Sequence, residues 1–213
     1  MENCQSLYSK KSFWLGKLFS LAGVVPLGLY VIVHLYQNLR SLSGAEAFDQ
    51  HLAESRSFPL IVPITILVIW IPIVFHGLYG LFGIKKTRAN LMQFPYFENL
   101  KYTIQRLSGI GLLIFIPAHI YKTRIEPTLS QSSLNFHHMS EALNEPLTLG
   151  VYLLGVLGVA FHLANGFWQF SIGWGLVRTE RGMRRMQFIS YGVFVALLTL
   201  GYGAIWGFYR AHA

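Results

Sequence analysis

The chain has 213 residues, of which 53% are apolar and only 12% are charged. Soluble domains carry about a quarter charged residues, so this composition excludes an ordinary water-soluble domain and indicates a membrane protein. The formal net charge of +8 comes from basic residues clustered between long apolar runs, a distribution that indicates membrane topology and not nucleic-acid binding.

Five apolar runs long enough to cross a bilayer follow one another along the chain. They cover approximately residues 18–39, 58–84, 107–121, 147–177 and 186–209. None contains Asp or Glu in its interior, so a carboxylate proton relay through the bilayer is not expected. We therefore predict an all-α membrane protein with one transmembrane domain, residues 1–213, and five transmembrane helices.

The basic residues between these runs predict the orientation of the helices, because Lys and Arg are enriched in cytoplasmic segments. Twelve lie in the N-terminal segment and in the second and fourth connections: Lys10, Lys11, Lys17, Lys85, Lys86, Arg88, Lys101, Arg106, Arg178, Arg181, Arg184 and Arg185. Five lie in the remaining segments: Arg40, Arg56, Lys122, Arg124 and Arg210. The N-terminus is therefore expected inside and the C-terminus outside.

Each of the first four runs contains one histidine, and the intervals between them are 42, 43 and 43 residues: His34, His76, His119 and His162. Because successive helices run in opposite directions, the first and third histidines are expected toward the outside, and the second and fourth further inside. The two histidines of the inner pair share a local pattern: Phe precedes each His, and Gly follows it by four residues. A four-helix bundle with two metal levels accounts for this arrangement.

A neutral histidine in hydrocarbon needs partners for both ring nitrogens. A haem iron takes Nε2 of one imidazole on each side, while Nδ1–H can donate to a backbone carbonyl in the same helix. Gly80 and Gly166, one turn after the inner histidines, would leave room for a flat macrocycle. The pattern thus predicts two bis-histidine b-type haems. Packed histidines without a metal are the alternative, as is tetrahedral zinc, although two separate levels argue against zinc.

Cysteine chemistry offers no further metal site, because the single Cys4 excludes a cysteine-ligated iron–sulfur cluster and a C-x-x-C-H haem attachment site. Haem propionates need cations at the span ends. The candidates are Arg40, Lys122 and Arg124 outside, with Lys17, Lys85 and Arg106 inside; each of these also has a purely topological interpretation. Asp49 and Glu54, in the first outer connection, are candidates for proton exchange near a quinone, with solvated loop carboxylates as the alternative.

The chain resembles the single-chain, di-haem cytochrome b subunits that anchor succinate dehydrogenase and fumarate reductase. The resemblance covers nearly the whole chain and rests on the order and spacing of four strings: Ser20-Leu21-Ala22-Gly23 with His34-Leu35, Phe75-His76-Gly77, Gln105-Arg106-Leu107-Ser108-Gly109 before His119, and Phe161-His162-Leu163-Ala164-Asn165-Gly166. It implies axial ligation by His34 and His119 at an outer haem and by His76 and His162 at an inner haem.

The resemblance also implies a multi-pass protein of the bacterial cytoplasmic membrane whose inner face docks an iron–sulfur subunit, itself served by a flavoprotein that oxidises succinate. Electrons would pass through the inner and outer haems to a quinone, either menaquinone or ubiquinone. The resemblance implies that the succinate site lies on the partner subunits and not on this chain. An independent electron shuttle of the cytochrome b561 kind, the cytochrome subunit of another dehydrogenase, and a histidine-dependent transporter are the alternative functions.

Overall fold

The computed structural model describes the backbone of residues 2–86 and 91–211 and the side chains of residues 10–83 and 91–211. The side chain of Lys85, a predicted propionate partner, lies outside this range. The described backbone is helical without strands, and its elements follow in this order: α1 Glu2–Val24, α2 Pro26–Asn38, a 3₁₀ helix Leu39–Ser43, α3 Ala45–Ser57, α4 Ile61–Thr65, a π-helix Ile66–Trp70, α5 Ile71–Lys86, α6 Phe97–Ile120, a π-helix Tyr121–Ile125, α7 Glu126–Leu129, α8 Phe136–Asn144, α9 Pro146–Gly173 and α10 Glu180–Tyr209.

Five stretches of the described chain are long and apolar enough to cross a membrane, as the sequence predicts. We call them spans 1 to 5: Lys10–Ser43, Ile61–Gly83, Phe97–Leu129, Pro146–Gly173 and Glu180–Tyr209. Span 3 begins ten residues before the apolar run that predicted it, because α6 continues through the polar segment that precedes Leu107. Span 1 changes from α1 to α2 at Pro26, whose ring removes a backbone donor.

Prolines lie beside both π-helical segments, close to two of the histidines. The first segment, Ile66–Trp70, ends two residues before Pro72, and the second, Tyr121–Ile125, begins four residues after Pro117. A proline lacks the N–H that would complete the α-helical ladder, and π-helical turns are one way in which a helix accommodates the interruption. His76 and His119 therefore stand on helices with a local irregularity.

Helix α9 lies at the centre of the bundle, because it packs against α1, α6 and α10. Its small residues Ala160 and Ala164 are almost completely buried, whereas the most apolar stretch of span 2 has no buried residues. Span 2 contacts mainly α1 and leaves a broad apolar surface for lipid. Helix α10 is fastened to α9 by the buried Ser190, whose hydroxyl donates to the Ala164 carbonyl at 2.7 Å.

The connections after spans 1 and 3, which the sequence predicts to lie outside, fold into short helices that cover one end of the bundle. Helices α3 and α8 pack together with the end of α10 around an aromatic cluster that includes Phe48, Phe136 and Phe208. The Asp49 carboxylate accepts a hydrogen bond from the Phe136 backbone N–H at 2.7 Å and so joins α3 to α8. We call α3, α8 and the 3₁₀ helix the outer cap.

The start of α9 is capped by Glu145, which lies outside the membrane-spanning segment. Its carboxylate accepts hydrogen bonds from the backbone N–H groups of Leu147 and Thr148 at 2.9 and 2.6 Å. Hydrogen bonding from Thr148, with a smaller contribution from Leu147, lowers the pKa of Glu145 below its usual value. The cap satisfies donors that the first turn of a helix otherwise leaves unpaired.

Candidate functional site

The four intramembrane histidines lie in two pairs, and each pair joins two different spans. His34 on α2 and His119 on α6 have ring centroids 5.8 Å apart, with an angle of 85° between the ring planes. His76 on α5 and His162 on α9 have ring centroids 6.2 Å apart, at an angle of 86°. These are the two combinations expected from helix direction and depth.

The inner pair is oriented by backbone carbonyls of neighbouring helices. His76 Nδ1 lies 2.9 Å from the Phe19 carbonyl oxygen on α1, and its ring stacks on the Phe19 ring at 4.3 Å. His162 Nδ1 lies 3.2 Å from the Gln105 carbonyl oxygen on α6 and 3.2 Å from the Ser108 hydroxyl. The sequence-based expectation of a carbonyl in the same helix is therefore wrong for the inner pair, because both rings contact a carbonyl of the helix packed against their own; a helical carbonyl oxygen has a second lone pair that can accept such a bond.

The outer pair is oriented by tyrosine hydroxyls. Tyr30, one turn before His34 on α2, has its hydroxyl 3.4 Å from His34 Nδ1, and Tyr152 on α9 has its hydroxyl 3.2 Å from His119 Nδ1. Asn38 donates to the His34 carbonyl at 2.7 Å and holds the next turn. Tyr30 is detectable from sequence as a neighbour four residues from His34, whereas Tyr152 becomes a neighbour only through the packing of α9 against α6.

The second ring nitrogen is left available in three of the four imidazoles. Within the described part of the chain, Nε2 of His76, His119 and His162 makes no hydrogen bond. His34 Nε2 has only a contact with Asn38 Nδ2 at 3.5 Å, which is longer than an ordinary hydrogen bond. Metal-ligating histidines in general have this arrangement, in which Nδ1 is hydrogen-bonded and Nε2 is free for the metal.

Two glycines make room for the inner rings, a role that the sequence did not predict for them although both belong to the strings shared with the family. A Cβ on Gly23 would lie 2.9 Å from His76 Nδ1, and one on Gly109 would lie 3.1 Å from His162 Cε1. By contrast, a Cβ on Gly80 or Gly166 would make an ordinary contact, at 3.6 Å to Phe19 and 3.7 Å to Gln105 respectively. The absence of a side chain therefore matters first at Gly23 and Gly109, which face the histidines from the opposite helix.

The predicted cations occupy different environments. Lys122 forms an ion pair with Glu126 at 3.0 Å, and Arg106 donates to the Tyr102 hydroxyl at 3.2 Å. Arg40 is exposed on the 3₁₀ helix that follows His34. Lys17 donates to the Gly173 carbonyl and lies over the Trp174 ring.

The two carboxylates proposed to exchange protons also differ. Asp49 is engaged by the Phe136 N–H within the outer cap, so it is not the freely solvated loop carboxylate that the sequence suggested as the alternative. Glu54 is exposed and accepts a hydrogen bond from Gln50 at 3.0 Å. In the part of the chain that the structure describes, no group of three or more His, Cys, Asp or Glu side chains is close enough to hold a metal ion, so the intramembrane histidines are grouped only in twos.

Comparison with known proteins identifies the family to which the chain belongs. No protein-family model matches the chain. Over 198 residues it is 35% identical to the succinate dehydrogenase cytochrome b558 subunit of Bacillus subtilis, and this alignment covers 93% of the chain and 98% of that protein. The chain belongs to the succinate dehydrogenase cytochrome b family of membrane subunits.

A second relative of this succinate dehydrogenase subunit is named as a membrane component. Over 105 residues the chain is 28% identical to the succinate dehydrogenase hydrophobic membrane anchor subunit of Archaeoglobus fulgidus, covering 49% of the chain and 79% of that protein. Family membership and five apolar helices together identify the chain as a multi-pass membrane subunit of succinate dehydrogenase.

Proposed function

We propose that this chain is the membrane anchor and quinone-reactive cytochrome b subunit of a succinate:quinone oxidoreductase and that it holds two b-type haems. His34 and His119 would bind the outer haem, and His76 and His162 the inner haem. The observation that carries the proposal is the pair of cross-helix imidazole contacts, at 5.8 and 6.2 Å between ring centroids. The cytochrome b name of the Bacillus subtilis relative supports haem as the cofactor.

The donor set fits the group that we propose. Each pair supplies two neutral imidazoles from facing helices, which is the ligand set of a six-coordinate haem iron. Gly23 and Gly109 keep side chains away from the inner rings. When bound, each haem supplies an iron centre that takes up and gives up one electron. The protein holds each ring in one orientation through the Nδ1 contacts and excludes water through the apolar spans.

We place the entry of electrons at the inner end of the bundle. Four exposed basic residues lie at or beside the start of α10 and would face an acidic protein surface: Arg178, Arg181, Arg184 and Arg185. By the positive-inside tendency this end is cytoplasmic, so we propose it as the docking face for the iron–sulfur subunit and, through it, the flavoprotein. The succinate site would then lie on those partners and not on this chain.

We place the quinone toward the outer end. Reduction of a quinone to the quinol takes two electrons and two protons, so the site needs access to water. Glu54 is exposed in the outer cap and suits proton exchange better than Asp49, whose carboxylate is engaged by the Phe136 N–H. Arg40 and Lys122 at the outer end, with Lys85 and Arg106 at the inner end, are the proposed partners of the haem propionates.

The test is purification of the intact complex from gently solubilised membranes, followed by haem, flavin and iron assays and a reduced-minus-oxidised spectrum. We expect two b-type haems for each copy of this chain, together with flavin and iron–sulfur subunits. Haem without those subunits would favour an independent electron shuttle. A preparation without b-type absorbance would contradict both redox functions and would favour a transporter with intramembrane histidines.

A further inference from the structure

A pair of amide side chains joins α6 to α9 directly beside His162. Gln105 on α6 accepts a hydrogen bond at its Oε1 from Asn165 Nδ2 on α9, at 2.8 Å. The other end of the same amide, Nε2, donates to the His162 carbonyl at 3.1 Å and lies 3.3 Å from His162 Nδ1. One glutamine thus contacts the backbone and the ring of a proposed haem ligand and is itself held by a second amide.

Asn165 is a buried polar side chain inside an apolar helix, which is an unusual position for an asparagine. It is only 4% exposed, and its Oδ1 accepts no hydrogen bond from the described residues. A buried acceptor without a partner opposes folding, and an apolar residue of similar size would avoid this penalty. Packing alone therefore does not account for an asparagine here, and the one side-chain hydrogen bond that it makes among the described residues, to Gln105, points to its role.

The Asn165 hydrogen bond decides which end of the Gln105 amide faces the histidine. Because Nδ2 of Asn165 is a donor, it holds the Gln105 oxygen toward Asn165 and away from the His162 ring. The NH₂ end, which carries the positive end of the amide dipole, is then directed at His162. The acceptors available to the Nδ1–H of His162 are then the Gln105 backbone carbonyl and the Ser108 hydroxyl, both at 3.2 Å.

We propose that Asn165 is a positioning residue that acts through Gln105 to raise the reduction potential of the inner haem. The inference rests on the proposed haem ligation by His162. Reduction adds one electron to the iron centre, so a positive dipole held near its ligand stabilises the reduced state relative to the oxidised state. Hydrogen bonding around the axial ligands is one of the means by which a protein sets haem potentials.

Redox titration of the haem spectrum in the purified complex tests this role, with the outer haem of the same molecule as an internal reference. The variants are Asn165→Leu, Gln105→Met and the double variant; Gln169→Met, which removes an exposed amide from α9, is the matched control. We expect both single variants to shift the inner haem to a more negative potential without changing the haem content. The double variant should shift no further than the larger single shift, since both residues act through one amide.

Three results would overturn the proposal: an inner potential equal to that of the wild type in both single variants, additive shifts in the double variant, or equal shifts of both haems. Loss of the inner haem from both single variants would also overturn it, because it would show a role in retention and not in tuning. A wild-type complex without two b-type components would instead contradict the proposed function, so the two failures are distinguishable.

Discussion

The imidazoles of the four intramembrane histidines share one pattern of contacts, in which Nδ1 lies within 3.4 Å of an oxygen atom. The inner rings use backbone carbonyls and the outer rings use phenol hydroxyls. Carbonyl oxygens only accept hydrogen bonds, so they fix the proton on Nδ1, whereas a phenol hydroxyl also donates. The two pairs are thus held by different chemistry although the sequence spacing makes them look equivalent.

Among the glycines that face a histidine ring, Gly23 fits most tightly, against His76, and this contact leads to a prediction. In Gly23→Ala, the new Cβ would lie within 2.9 Å of His76 Nδ1, so the ring must rotate away from the Phe19 carbonyl. We expect weaker binding of the inner haem, by a factor on the order of 10 or more, with the outer haem retained. Haem content and reduced spectra of purified protein measure this effect.

The control is Gly111→Ala on α6, where a Cβ meets no atom within 4 Å and the position is exposed. This variant should bind both haems as the wild type does. Full inner haem content in Gly23→Ala would show that His76 does not need the orientation described above.

The histidine spacing was sufficient to predict the pairs, but not the residues that orient them. Spacing and helix direction give the depth of a side chain, and depth alone selects the combinations His34 with His119 and His76 with His162. The orientation partners depend on how each helix is rotated about its axis. Phe19 is 57 residues from His76, and Tyr152 is 33 residues from His119, so no local sequence pattern connects them.

At the scale of whole helices, apolar runs identified the five spans but underestimated the length of span 3. The first three turns of α6 are polar in sequence, yet Lys101 is only 5% exposed there. Its ammonium group lies 3.8 Å from the centre of the Trp168 ring and 2.8 Å from Glu98. Composition classifies such a segment as a loop, because the aromatic ring that covers its ammonium group, Trp168, lies on another helix.

The outer cap likewise could not be predicted from sequence patterns. The amphipathic helices α3 and α8 are short, and their apolar residues are buried only because the two helices and the end of α10 cover one another. The contact depends on Gly207 of α10, which lies against the backbone of the 3₁₀ helix. A Cβ at this position would lie 2.7 Å from the backbone nitrogen of Leu42 and against the Ser41 hydroxyl.

We therefore predict that Gly207→Ala destabilises the protein by about 1–3 kcal/mol, because backbone atoms cannot move aside as a flexible side chain does. Thermal unfolding of the purified protein in detergent measures the change. Gly192→Ala, in the same helix but with no atom within 4 Å of the new Cβ, should leave stability unchanged or slightly higher. Equal melting temperatures for Gly207→Ala and the wild type would argue against close packing of the cap on α10.

For the molecule as a whole, the distribution of basic residues predicts an inside N-terminus and an outside C-terminus. The single native cysteine, Cys4, allows a direct test with a membrane-impermeant maleimide on right-side-out vesicles. Wild-type protein should be labelled only after the membrane is permeabilised. The Cys4→Ser, Ala211→Cys variant should be labelled in intact vesicles, since Ala211 is exposed at the end of the chain after α10. The opposite labelling pattern would reverse the orientation and move the docking face to the other side.

The family and the five spans were accessible from sequence because both depend on features spread over the whole chain. The proposed haem ligation rests on four side chains, so single substitutions test it most directly. The decisive measurement is redox titration of the haem spectrum in His34→Ala, His76→Ala, His119→Ala and His162→Ala, with the exposed His137→Ala as control. We predict loss of one spectral component in His34→Ala and His119→Ala, loss of the other in His76→Ala and His162→Ala, and loss of neither in His137→Ala. Loss of the same component from His34→Ala and His76→Ala would contradict the pairing.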